Sequence, residues 1–388
     1  MEQAQEKEAQ AQEMEGAAVR EEKLELEQKQ AVKKEVVNKP KGNKMRLVFY
    51  YTHARNVLPK DLETDGITYM FRKMLDAGII QECICIIDNY AVDRAQSVNL
   101  SKNLNCIMVN GIEQTKNILK NNDIIFIRGG FKPWIPFIQE LIKNKQWIIF
   151  YGANTGNERW PFWDIVLDDL NGKTFIDIKS RLVYEYIKAV NEDIFKPLEM
   201  KRIYDIMIGA SYIHDKKGQW KIIDAIKQYE KKNNKKLKCV LPGSFRRGSE
   251  TNKIHAKTIG MNIDLIGMVS RQELAKYYNQ SNLLIKLGGG QNDRSLIEAM
   301  ACGCQLSLQL PHRSAPYIAN HSFVAESTGQ IVSVIQEALA KKKPGVYSVK
   351  YHNNHARIDK VLDRMEKLFT FFRSNPIADR RKLDKLLS

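Results

Sequence analysis

One acid stands out for its surroundings. In "LLIKLGGGQNDRSLIEAMACGCQLSL", Leu283 to Leu308, Glu298 lies among isoleucine, alanine and methionine, shortly after three glycines. Leu283 to Leu287 is a short apolar run of the kind found in a buried parallel strand. Gly288, Gly289 and Gly290 let the backbone turn sharply and come close to a ligand. Asn292, Asp293 or Ser295 supplies a cap for the helix that follows, and Gly303 ends it. Strand, glycine turn and helix together are how open α/β sheets offer free backbone N–H groups to a ligand. Arg294 lies four residues before Glu298 on the same helix face. An internal ion pair is therefore one expectation for the acid, and contact with a ligand is the other.

The bulk composition narrows the class. A chain of 388 residues fits two domains better than one. Its 43% hydrophobic and 27% charged residues describe an ordinary soluble protein. No run of about 18 or more apolar residues is present, so no bilayer span is expected. The start of the chain lacks the basic and then apolar profile of a secretory signal. The cysteines are Cys83, Cys85, Cys106, Cys239, Cys302 and Cys304. Their Cys-x-Cys pairs lack the second pair or histidine partner that zinc needs. They read as reduced, mostly buried residues of a cytoplasmic protein, with no metal expected. A net charge of +16 calls for a polyanionic partner or an anionic surface. The lysine run "KQYEKKNNKKLK", Lys227 to Lys238, has one aromatic and no nucleic-acid reader motif. It reads as a solvated helix end and loop, so no nucleic acid is expected. Peripheral contact with an anionic membrane, or an anionic acceptor, suits the charge.

Elements must position that acid, and the chain supplies them in order. Residues 1–44 have no aromatic and little apolar content, and so read as a disordered or solvated helical tail. From 45 to 190, strand runs such as "RLVFYYT", "ECICIID", "NDIIFIRGG" and "QWIIFYGANTG" alternate with helical segments. In "GITYMFRKMLDAG", Ile67, Met70, Phe71 and Met74 recur at helical spacing. A second alternation fills 191–345, from "YDIMIGAS" to the glycine turn and beyond. Residues 346–388 form a C-terminal helical segment, with "RIDKVLDRMEKLFTFF" plainly amphipathic. The expected class is α/β: two Rossmann-like, doubly wound halves of parallel sheet facing across a cleft. In such sheets ligands bind beyond the carboxyl ends of the strands.

Three blocks of the second half carry a resemblance. "YDIMIGASYIHDKKGQWKIIDAI", "IDLIGMVSRQELAKYYNQSNLLIKL" and "SLIEAMACGCQLSL" resemble, in order and spacing, the donor-binding half of GT-B glycosyltransferases. They look most like the retaining family 4, group 1. The likeness covers about 190–320, and "EAMACG" is its most specific part. It implies that Glu298 accepts hydrogen bonds from the ribose hydroxyls of a nucleotide-sugar. It also implies that Lys217, before Gly218 and next to Lys216, meets the diphosphate. Gly267, Met268 and Val269 match the segment whose backbone faces the base. Gly289 and Gly290 form the turn at the donor, and Gly66 is expected near the phosphates.

The pattern also has gaps. The family's second basic residue, after the strand-ending Gly209, is replaced by Ala210 and Ser211. Arg246, followed by Arg247, is the candidate to supply that charge. Where the family has an acid that touches the transferred sugar, this chain has Gly290, with Asp293 nearby. Where many relatives have a histidine, "IIFIRGGF" supplies Arg128. Asp293 and Arg128 are therefore the catalytic candidates. Asn154 and Thr155, in "YGANTGNERW", are candidates for acceptor contact.

The resemblance implies transfer of a sugar from a nucleotide diphosphate donor to an acceptor hydroxyl, with retention and without metal or cofactor. Glycans, glycoproteins and lipid-linked sugars are the acceptor classes. The rival expectations are a GT-B-like protein that binds nucleotide-sugar without transferring it and, from charge alone, a nucleic-acid-binding protein.

Overall fold

The apolar runs assemble into two large sheets. The first joins β1 (Arg46–Tyr51), β2 (Glu82–Asp88), β3 (Gln96–Ser101), β4 (Leu104–Val109), β5 (Ile124–Arg128), β6 (Ile148–Tyr151), β7 (Ile165–Asp168), β8 (Phe175–Ile176) and β9 (Leu182–Glu185). Their spatial order is β3-β4-β2-β1-β5-β6-β7-β9-β8. The second joins β10 (Tyr204–Ile208), β12 (Lys238–Pro242), β14 (Asn262–Gly267), β15 (Ser281–Lys286), β16 (Gln305–Leu308) and β17 (Phe323–Val324), in the order β14-β12-β10-β15-β16-β17. Two short strands, β11 (Tyr212–Ile213) and β13 (Ser244–Phe245), pair beside it. The computed structural model describes residues 45–388 except 52–58, 89–92, 130–134, 153–159, 169–172, 210–211, 214–217, 246–248, 288–293, 309–322, 326, 341–348, 351, 354–355 and 388.

Central strands are covered on both faces, which is why they are apolar at nearly every position. In β1, Leu47 and Phe49 enter one core while Val48 and Tyr50 enter another. In the second sheet Ile206 and Ile208 face one core, and Met207 joins the cluster that also holds Leu47 and Phe49. All six cysteines are free and buried.

The margins of the first sheet depart from the expected parallel pattern. β3 runs antiparallel to β4, and β8 antiparallel to β9. β3 is largely exposed. An edge strand has one partner and a wet side, so "QSVNLS" has no continuous apolar run to announce it.

The helices that matter to the site are α1 (Gly66–Asp76), α2 (Ile135–Lys143), α3 (Gln219–Asn233), α4 (Arg271–Gln280), α5 (Arg294–Ala301), α6 (Thr328–Ala340) and α7 (Ile358–Ser374). Although α7 follows the second sheet in the chain, it docks on the first half. Trp147 Nε1 donates to Asn375 O at 2.6 Å, and Tyr184 Oη donates to Arg364 O at 2.7 Å. Phe369 and Phe372 are buried, and Phe372 lies 5.3 Å from the Trp147 ring. The connector between the two sheets receives its start, with Ile358 N donating to Glu192 Oε1 at 2.7 Å. Among the described residues no helix is long and apolar enough to cross a membrane.

In each sheet the strand order reverses beside the first strand. The first sheet builds outward from β1 to one side through β2 and then to the other through β5. The second does the same from β10, through β12 and then through β15. The crevices at these two reversals are where open α/β sheets take ligands.

Candidate functional site

At the first reversal β1 ends in Tyr51 and β5 in Arg128, which face each other in register. The Arg128 guanidinium lies 4.9 Å above the Tyr51 ring. Next to them Asp65 caps α1, accepting a hydrogen bond from Ile67 N at 2.8 Å. Its other oxygen receives Arg294 Nη1 from the second half at 2.6 Å and lies 3.7 Å from Arg128 Nη1. Burial alone would raise the Asp65 pKa. Arg294 first, then Arg128, overcome it and hold the carboxyl well below the usual carboxylate range.

Sequence reasoning missed Asp65 as part of the site. An acid directly before a helix-starting glycine signals a cap, and nothing local points to a partner 229 residues away. Gly66, expected near phosphates, is the first residue of α1. A Cβ there would meet the Ala189 carbonyl oxygen at 2.0 Å, so the passing backbone of the connector explains the glycine.

The second reversal is built differently. β10 and β15 pair in parallel, with Ile208 opposite Ile285 and Gly209 N donating to Ile285 O at 2.9 Å. β15 then ends in Lys286, which is 6% exposed and whose Nζ donates to Ser295 Oγ at 2.8 Å in the first turn of α5. A Cβ on Gly209 would touch the Lys286 stem at 3.2 Å. A Cβ on Gly218, the N-cap of α3, would collide with Leu287 Cβ at 2.7 Å. Gly218 also has φ +75°, a left-handed conformation that suits glycine. It provides no side-chain cap, so the first N–H groups of α3 are left to other partners.

Glu298 sits one turn into α5 and is 2% exposed. The expected internal pair with Arg294 is replaced by another. Arg271 Nη2, from the first turn of α4, donates to Glu298 Oε1, while Arg294 turns to Asp65. The Arg271 guanidinium also lies 5.0 Å over the ring of Phe195, in the connector between the halves. Gly267, with φ +68°, closes β14. Met268, 69% exposed, and half-buried Val269 lead into Ser270, the N-cap of α4. The segment matched to the base thus runs directly into the arginine that holds Glu298.

The other expected site residues lie outside the described residues. They are Asp293, Gly289, Gly290, Lys216, Lys217, Arg246, Asn154 and Thr155. Their described neighbours Gly218, Lys286 and Arg294 mark the places where those segments attach. Among the described residues, no group of three or more His, Cys, Asp and Glu is placed to hold a metal. Among the described residues, Arg128 and Arg294 meet Asp65 at the first edge, and Arg271 holds Glu298 in the half where Lys286 ends β15.

Residues 190–342 match the family model described as glycosyl transferases group 1. The second half is a group 1 glycosyltransferase domain. It contains β10 to β17, with Glu298, Arg271, Lys286 and Gly218. Among curated proteins none matches the chain in sequence.

Solved structures match across most of its length. A UDP-forming α,α-trehalose-phosphate synthase from Burkholderia vietnamiensis aligns with TM-score 0.61 and 11% identity, over 86% of this chain and 98% of that one. HepE from Anabaena, in complex with UDP and glucose, aligns with TM-score 0.58 and 9% identity, over 84% and 100%. The E. coli trehalose-6-phosphate structure bound with UDP-2-fluoro glucose gives TM-score 0.56 and 12% identity, over 85% and 98%. At such identities the likeness is one of fold. The glycosyltransferase domain and the sheet before it together form a GT-B fold.

Proposed function

We propose that the protein transfers a sugar from a nucleotide diphosphate-sugar to an acceptor hydroxyl, with retention of configuration. The observation that carries this reading is the setting of Glu298. It is a buried carboxylate inside the matched domain, tethered through one oxygen by Arg271 and placed beside the strand-end reversal. A carboxylate has a second oxygen and further lone pairs to offer, which suits two adjacent ribose hydroxyls.

Leaving-group charge grows on the diphosphate as the sugar bond breaks, so fixed cations and helix N–H groups lower the barrier. The start of α3, where Gly218 offers no side-chain cap, and Lys216 and Lys217 before it in sequence are proposed to supply these. In a retaining transfer of this kind a departing phosphate oxygen takes the acceptor proton on the same face, and no metal is required. Arg128, beside Asp65 at the end of β5, is the proposed catalytic cation of the first half, where Asn154 and Thr155 are proposed to meet the acceptor. Asp293 is proposed to contact the transferred sugar in place of the acid missing at Gly290. UDP is the first donor nucleotide to try, because two of the structurally similar proteins were solved with UDP or a UDP-sugar. The +16 charge supports work at a cytoplasmic, anionic membrane surface, on a glycan, glycoprotein or lipid-linked acceptor. Family 4 remains the proposed placement, on "EAMACG" and the blocks before it.

A thermal-shift screen against nucleoside diphosphates and nucleotide-sugars, followed by a transfer assay, tests the reading. A ligand at 100 times its dissociation constant stabilises by about 2.7 kcal/mol. Stabilisation by no nucleotide at millimolar concentration would remove the donor site.

A further inference from the structure

The lysine run at the end of α3 reads in sequence as a solvated helix end and loop, but in the folded chain it encloses a cavity. That cavity measures about 440 Å³, within the range of pockets that hold small ligands. Lys227, Lys231, Lys235 and Lys236 line it, with Glu230 as the one acid. We infer that the cavity is a second ligand site, binding a compact phosphate-bearing group with more than one negative charge. A free phosphate ester and a lipid headgroup share that chemistry. The inference stands apart from the donor reading and does not depend on it.

The place in the fold separates this site from the donor crevice. α3 begins beside Leu287, just past the carboxyl end of β15, and runs to Asn233, ahead of the start of β12 at Lys238. Its 15 residues span about 22 Å. The opposite wall is the turn of Ile259, Gly260 and Met261, between the helix Ser249–Thr258 and the start of β14. The cavity therefore lies at the amino ends of β12 and β14, the other pole of the sheet.

The acid does not balance the lysines. Glu230 Oε2 receives Lys236 Nζ at 3.0 Å, and its Oε1 receives Leu237 N at 2.9 Å, so both oxygens are engaged. Lys236 Nζ also donates to Gly260 O at 2.9 Å and ties the two walls together. Among the described residues, the ammonium groups of Lys227, Lys231 and Lys235 meet no carboxylate or carbonyl. Lysines near a helix C-terminus often serve its last carbonyls. Here those carbonyls have other donors: Asn234 N meets Glu230 O, and Asn233 Nδ2 meets Tyr229 O at 2.9 Å. Lys227 and Lys231 lie four residues apart on one face of α3, a spacing at which like charges repel. A ligand with several anionic oxygens relieves that repulsion and accepts charge-assisted hydrogen bonds from all three lysines. The rim is open to it, since Ile259 is 76% exposed and a Cβ on Gly260 would touch nothing. No aromatic ring is among the lining residues, so a nucleic-acid base has no face to stack on. Lysine meets phosphate as a point charge, which fits a phosphate group alone.

Calorimetric titration with pyrophosphate and tripolyphosphate tests the site, beside flotation with vesicles of phosphatidylcholine alone or mixed with phosphatidic acid. The pocket variant combines Lys227→Gln, Lys231→Gln and Lys235→Gln. A control of equal net charge combines Lys102→Gln, Lys143→Gln and Lys201→Gln, which are exposed lysines elsewhere. All six side chains are exposed, so both variants should melt with wild type. The pocket variant should weaken binding by about 10-fold or more, the effect of at least one hydrogen bond to a charged group, and the control by about twofold at most. A loss confined to the polyphosphates assigns the site to a free phosphate ester, and a loss on the acidic vesicles assigns it to a headgroup. Wild type that binds neither probe would overturn the inference. Wild-type binding in the pocket variant, or equal loss in pocket and control variants, would overturn it as well, because the charge would then act without the cavity.

Discussion

The two strand-order reversals use opposite means to prepare for negative charge. In the first half the start of α1 is capped by Asp65, whose carboxylate also takes Arg294 and approaches Arg128. The protein has put its own anion there. In the second half the start of α3 has Gly218 for a cap and no side chain on it, with Gly209 and Lys286 alongside. Among the described residues no side chain caps that helix. A helix N-terminus favours negative charge in either case. What differs is that the chain supplies the charge at the first, whereas at the second it is proposed to come from the substrate, so that losing it costs stability in one case and binding in the other.

Asp65→Ala should give the largest effect, and it should be on stability. Removing one partner of a largely buried ion pair costs about 3–5 kcal/mol, because the remaining charges stay buried without it. Urea denaturation measures this, and a loss below about 1 kcal/mol would break the contrast. The same acid sets a pH dependence. Its folded pKa lies below the unfolded value, so its stabilisation is complete above the ordinary carboxylate range, near pH 4, and is lost as pH falls through the folded pKa. Asp65→Asn should therefore lose less stability than wild type between pH 5 and pH 3, judged as approximate limits from the unperturbed value.

Glu298→Gln should come next, and should act mainly on binding. Donor affinity should fall by about 10- to 150-fold. Some stability should go with it, since Arg271 loses an ionised partner. Arg271→Ala should share that stability loss, whereas Arg294→Ala should behave like the Asp65 variants. Denaturation and titration of the three proteins would decide the pairing, and an Arg294→Ala protein that copied Glu298→Gln would reverse it.

Gly218→Ala is expected to be milder. A left-handed φ costs an alanine roughly 1–2 kcal/mol, and the new methyl must also displace Leu287. Because the strain falls where α3 begins, diphosphate binding should suffer more than nucleoside binding. Equal weakening of both ligands would place the damage elsewhere. The smallest effect should follow deletion of residues 1–44, which contribute no aromatic side chain to either half. The melting temperature and donor affinity of the protein starting at Met45 should match those of the full chain, as thermal unfolding and titration would register.

Much of the second half could be read in advance, for reasons visible in particular residues. "LLIKL" is apolar because β15 is covered on both faces, and Gly303, with φ +80°, ends α5 as its position suggested. The first half was legible where its strands are central and opaque at its margins. β3 and β8 pair antiparallel as edge strands, and their sequences lack the continuous apolar run of a covered strand. The destination of α7 was not legible either. Its amphipathic period shows that one face is buried, but not that Trp147 and Tyr184 of the first half receive it.

The sequence by itself determined the alternation of strands and helices, the glycine turn with Glu298 beyond it, and the likeness of residues 190–320 to a glycosyltransferase donor half. These are local patterns, set by side chains a few positions apart. Only the tertiary structure decided which charge answers which. Arg294 is one turn from Glu298 and could have paired with it, yet it crosses to Asp65, while Arg271 from another helix holds Glu298. The physical reason is that a buried charge takes the partner that the fold brings within hydrogen-bond reach. That distance is set by how the sheets and helices pack, and spacing along the chain does not contain it.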